Sequence, residues 1–182
     1  MGNKKLIWSL FAFGLFFLFL AFKFFISELP DKNNIVKVSG LLENDIKRES
    51  GRRGKKSLII KLKNYPEIDF MIGSVALDEI DSEELIDENK AGDSITFFVE
   101  EKDFRRKVLK TEKIPFPENI LHPEKIHILE IKNSKSNYLL LEDYRKAALK
   151  NNYLGVAFFG ILGILMFIAG IKLIQVQKNK EM

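Results

Sequence analysis

The chain has no cysteine and only two histidines, His122 and His127, in 182 residues. Without thiols there is no disulfide framework, no thiolate zinc site and no cysteine nucleophile, while the redox compartment stays open. The histidines lie five apart in HPEKIH, which is neither H-E-x-x-H nor another common ligand spacing, and Pro123 opposes a helix presenting both. This pattern predicts a loop histidine and a strand-start histidine rather than a metal pair. Ser57, Ser74 and Ser94 stand outside any G-x-S-x-G context, so no serine nucleophile is legible. GRRGKKS echoes a phosphate-binding loop, but Glu49 stands where a glycine is required and Lys56 where Ser or Thr is required. No cofactor is implied by any motif in the chain.

An excess of one charge is also missing from the middle of the chain. Residues 26–150 hold 23 Lys and Arg against 24 Asp and Glu, about −1, and the flanks hold six Lys against Glu181 alone, +5. A domain that neutralises phosphates along a nucleic acid should itself be basic, so the near-balance argues against nucleic acid as partner.

What is abundant is apolar sequence at the two ends. Leu6 to Phe22 is uncharged over seventeen residues, twelve of them Leu, Ile or Phe. At about −0.3 to −0.6 kcal/mol each, these supply roughly −4 to −7 kcal/mol toward insertion. Lys23 can snorkel, extending a first transmembrane helix over 6–26 behind a short tail, 1–5. The run lacks an A-x-A cleavage site, so it reads as a retained signal anchor, and Leu6 occupies the position where myristoylation needs Ser or Thr. A second run, Leu154 to Ile171, is again uncharged and gives a transmembrane helix over 154–174 and a tail over 175–182. Gly155, Gly160, Gly163 and Gly170 give it a small-residue surface, for which the first helix is the expected partner. Lys4 and Lys5 at one end, with Lys172, Lys178 and Lys180 at the other, place both tails in the cytoplasm and the intervening domain outside it.

After a polar linker, 27–34, residues 35–141 read as a β-rich domain. Ile35 to Leu42 and Ser57 to Lys63 are strand-like and flank KRESGRRGKK, which reads as the polar tip of one long hairpin. Its Lys47, Arg48, Arg52, Arg53, Lys55 and Lys56 are candidate contacts for anionic headgroups or an acidic partner. A turn at Tyr65 and Pro66 leads to a third strand, with Ile68, Phe70 and Ile72 on one face. Seven carboxylates between residues 77 and 89 accompany Ala76, Leu77, Ile80 and Leu85 on one side of a short amphipathic helix; D-x-D-x-D-G spacing is missing, so no calcium site is inferred. Further strands fall at Ser94 to Val99, Ile126 to Lys132 and Tyr138 to Leu141. The connection 102–125 carries Pro115, Pro117 and Pro123 among Ile114, Phe116, Ile120 and Leu121; such a loop suits a bilayer surface or a partner, with Phe116 the candidate contact, and equally suits covering one end of the domain's own core. A helical stem, 142–153, runs on toward the second span.

Gly40 and Leu42, the basic tip, the Gly92-Asp93 turn with Ile95 and Val99, and NYLLLEDY at 137–144 before a final span together resemble a group of proteins. These are small bacterial membrane proteins with a β-barrel-like domain of unknown function between two helices, and the likeness covers most of the chain. It implies no activity. The fold class expected is α+β: two transmembrane helices around a small OB- or SH3-like barrel or roll with one or two short helices. The function expected is a non-catalytic binding or scaffolding module in a bacterial inner membrane. Its partners would be the lipid bilayer and another membrane or envelope protein. The alternative is a membrane-tethered enzyme acting on lipid or cell-wall substrates through carboxylates or His127. Oligomeric state is not legible.

Overall fold

The structure, a computed structural model, describes residues 2–50, 56–132 and 136–180, and divides into two units: residues 1–28 with 149–182, and residues 29–148.

The first unit is helical. Helix α1, Gly2–Phe25, has 24 residues and so is about 36 Å long, more than the roughly 30 Å of bilayer hydrocarbon. It packs on the later part of helix α6, Leu141–Lys180. Both helices are long and apolar enough to cross a membrane, and little of either apolar stretch is buried, unlike the core helix of a soluble protein. Their contact is made by missing side chains. A Cβ placed on Gly163 would lie 3.1 Å from the Gly14 carbonyl oxygen, and one on Gly155 would lie 2.6 Å from the Phe24 ring. Phe17 and Phe24 stack on Phe159, and Phe11 meets Phe167 edge to face. Gly155, Gly163 and Gly170 of the second apolar run thus face α1, whereas Gly160 has nothing within 4 Å of its Cβ position.

The second unit is a mixed, open, seven-stranded sheet. Its strands are β1 (Ile35–Leu41), β2 (Lys47–Ser50), β3 (Lys56–Leu62), β4 (Tyr65–Ile72), β5 (Ser94–Glu100), β6 (Lys125–Lys132) and β7 (Asn137–Leu139), in the order β1-β5-β6-β4-β3-β2, with β7 on β6. All pairs are antiparallel except β4 and β6, which run parallel with Phe70 opposite Ile126 and Met71 opposite His127. A parallel pair requires a long crossover, and residues 73–124 supply it, carrying β5 and four short helices. These are α2 (Ser74–Leu77), α3 (Ser82–Glu88), α4 (Glu101–Asp103) with a π-helical turn at Phe104–Val108, and α5 (Glu118–Leu121). The expectation of a mainly β domain between two apolar helices is met. The barrel is not: an isolated bridge from Leu42 to Leu62 joins β1 to β3 at one point of an otherwise open sheet.

Strand periodicity located the strands better than their partners. β4 buries Ile68, Phe70 and Ile72 as its alternation requires. The long hairpin of β1 with β3 is corrected: β1 pairs with β5 over its whole length, from Ile35 opposite Glu100 to Leu41 opposite Ser94. β3 turns instead into β4 through Lys63 and Asn64, so Tyr65 and Pro66 are strand residues, and the start of the basic decapeptide is itself strand β2. In place of one amphipathic helix, α2 ends where the acidic run begins and α3 lies within the run, capped by Asp81, which accepts from Glu83 N and Glu84 N at 3.1 Å. The core is aliphatic around Phe70 and Phe97, whose ring centroids lie 4.9 Å apart; α2 and α3 cover it with Ala76 and Leu85.

Candidate functional site

A cleft of about 520 Å³ opens where the C-terminal end of β4 meets the start of β6, a size ordinary for a small-molecule site. Its position follows from the parallel register. Ile126 and Ile128 turn into the core, so His127 between them projects from the other face, level with Met71 of β4. Gly73 follows the end of β4, and a Cβ there would sit 3.2 Å from His127 Cε1, so glycine leaves the room the imidazole occupies. Met71, Gly73 and the first residues of α2 line one side. Glu49 of β2 with Lys56 and Ser57 of β3 line another, and Lys107, Glu118, His122, Lys125, His127 and Tyr144 complete the wall.

The loop side of this wall is tied down by a lysine. Lys107, in the π-helical turn, has a side chain only 1% exposed and gives its ammonium to Glu118 Oε1 at 2.5 Å and to the Lys125 carbonyl at 2.6 Å. Those two bonds join the turn, α5 and β6 across the long connection. Lys125 reaches Glu49 at 3.4 Å. With both pairs neutralised, Lys56 leaves the wall one positive charge in excess beside two histidines.

Around the cleft, burial shifts several groups. The His127 ring has surface open to solvent, yet it sits in a concavity, and that desolvation lowers its pKa; Asp103 opposes the shift, while Lys107 and His122 add to it. Burial raises the Asp103 carboxyl, against the pull of Lys107, and raises Glu100, which Asp103 pushes further. Tyr144 is raised by burial and then by Glu100 and Asp103. Among the described residues neither His127 nitrogen nor the Tyr144 hydroxyl makes a hydrogen bond, which leaves donor and acceptor capacity facing the cleft. Among the same residues no group of three His, Cys, Asp or Glu is arranged to hold a metal.

The sequence reading of a loop histidine and a strand-start histidine agrees with His122 just beyond α5, a helix that reading did not contain, and His127 near the start of β6; it treated them as unrelated, and the structure brings both to one cleft. Of the basic candidates, Lys56 lines it. Arg48 is committed to the acidic helix α3, at 2.5 Å from Glu83 Oε1 and 3.2 Å from Ser82 Oγ, so the basic and acidic runs meet each other. Lys47 is exposed on β2, and Arg52, Arg53 and Lys55 lie outside the described residues. Phe116 is 80% exposed. Lys107, Glu118, Asp103, Glu100 and Tyr144 were not singled out, because only the β4–β6 pairing and the folded connection assemble them.

Comparison with protein-family models and with curated proteins found no match to this chain. The cleft therefore stands on its own geometry.

Proposed function

We propose that this chain is a membrane-anchored binding module: α1 and the apolar part of α6 span a bacterial inner membrane, with the lysine-bearing tails in the cytoplasm. The cleft around His127 is the recognition site of the domain between them. One observation carries the reading. A pocket of about 520 Å³ is lined by residues of eight elements and braced by a buried Lys107–Glu118 tie, while the His127 imidazole and the Tyr144 hydroxyl on its wall have no hydrogen-bond partner among the described residues. A scaffold for another membrane or envelope protein would use the same cleft together with the exposed residues beside it.

The test is site-specific photocrosslinking in intact membranes, with a photoreactive amino acid at Lys56 or Phe116 and a control at Lys37, exposed on β1. A discrete adduct from the first two positions and none from Lys37 is expected; equal labelling at all three would refute the cleft as recognition site. Since the chain has no cysteine, a single Lys37→Cys variant probed with impermeant maleimide reports on which side the domain lies.

A second reading, a membrane-tethered enzyme, is favoured by one specific feature. Its desolvated imidazole is biased toward the neutral, proton-accepting form with the Asp103 carboxylate nearby, an arrangement suited to general-base work. Replacing His127 and His122 by Ala tests the histidine version of this reading: an unchanged phenotype under conditions where gene deletion has one removes it.

A further inference from the structure

The short segment that gives Glu118 and His122 to the cleft wall also carries, outside the lining, a group of exposed apolar side chains, here called its lip. Glu118 and His122 face the cleft, while Phe116, Ile120 and Leu121 beside them are 80%, 69% and 62% exposed. Three large apolar side chains exposed within two residues of the cleft's own wall residues mark a candidate contact surface beside the cleft. Among the described residues Lys56 has no ion-pair partner in this cleft, with Lys125, His122 and His127 supplying further donors. We propose that the cleft binds an anionic amphiphile, its phosphate- or carboxylate-type head against Lys56, Lys125 and His127 and its hydrocarbon along Phe116, Ile120 and Leu121. The occupant is argued from the juxtaposition: a soluble anion has no use for the lip, and an apolar ligand has none for the cations. A chain that carries two helices able to cross a membrane also works where such amphiphiles concentrate.

This inference rests on the binding-module reading and names the ligand class of that same site. The chain's two histidines both line the cleft, so the full chain labelled with 15N-histidine and held in phosphatidylcholine nanodiscs reports on this site alone. Hexyl phosphate, inorganic phosphate and hexyltrimethylammonium are the probes. Saturable shifts of the His127 signals by hexyl phosphate are expected, at about tenfold tighter affinity than inorganic phosphate, the effect of burying roughly two methylenes. Phe116→Ser with Ile120→Ser should abolish that preference and leave inorganic phosphate unchanged, and Lys56→Gln should weaken both anions. If phosphatidylglycerol in the discs competes with hexyl phosphate, the amphiphile is a bilayer lipid; if it does not, it is a free one, and either outcome fits the proposal. Equal binding of hexyl and inorganic phosphate, equal response to the cation, or a preference that survives loss of the lip would each overturn it. Retained crosslinking from Phe116 without any His127 shift would overturn the amphiphile while leaving the binding module in place, with a protein as partner.

Discussion

Burial of the His127 ring disfavours its cation, so it should titrate below the 6.5 of an unperturbed imidazole. The unfolded chain takes up that proton at about 6.5 and the folded chain only at lower pH, so this group removes stability as pH falls from 6.5 to the folded midpoint. Asp103 and Glu100 act oppositely. Their folded pKa values lie above the ordinary 3.8 and 4.5, so stability is lost as pH rises through that window, and at neutral pH both ionised carboxylates are carried at a cost. Asp103→Asn should therefore raise the thermal midpoint at pH 7, with the gain vanishing below about pH 3.8, where both states are protonated. A lower midpoint at pH 7 would show that Asp103 holds the fold together instead. Lys107→Met should cost about 1–3 kcal/mol in a denaturant titration, because Glu118 and the Lys125 carbonyl both lose their donor. Glu118→Gln added to it should recover part of that loss.

At the scale of elements, alternation of apolar residues was sufficient to place most strands within a residue or two, because burial on one face is a local property of the pleat. Pairing is not local. Ile35–Leu41 carries the same apolar signature whether its neighbour is β3 or β5, and only the whole sheet selects β5. The short helices α4 and α5 were read as loop because their proline-rich, basic segment has no helical periodicity; they are held by Lys107 and Glu118 rather than by propensity. That is also why the cleft was illegible: its wall depends on a parallel register no turn residue announces. The glycines of the second apolar run were legible, since small residues in such a helix have one common use. Gly163→Leu should cost about 1–3 kcal/mol by overpacking, as its Cβ site already lies 2.8 Å from Leu18. Gly160→Ala, with nothing within 4 Å of its Cβ, serves as the control. The readout is disulfide yield between Phe11→Cys and Gly170→Cys, which face each other across this contact; it should fall in the first background and hold in the second.

For the whole molecule, the distribution of charge and grease separates two solvents. The flanks hold the basic excess and nearly all of the long apolar runs, and the central domain is close to neutral with its own aliphatic core. Full-length protein should stay in the membrane pellet after alkaline carbonate washing and disperse in detergent; release by carbonate alone would dismiss the spanning assignment of both helices.

Order of synthesis adds a consequence. β2, β3 and β4 can zip as successive hairpins soon after they leave the ribosome, but β4 finds its other neighbour only when residues 125–127 arrive, more than fifty positions later. Until then Ile60, Phe70 and Ile72, all fully buried in the folded domain, present an uncovered greasy flank. The nascent domain therefore passes through an interval in which holdase chaperones and neighbouring chains compete for the same surface, and its yield in cells depends on elongation speed across the 73–124 crossover.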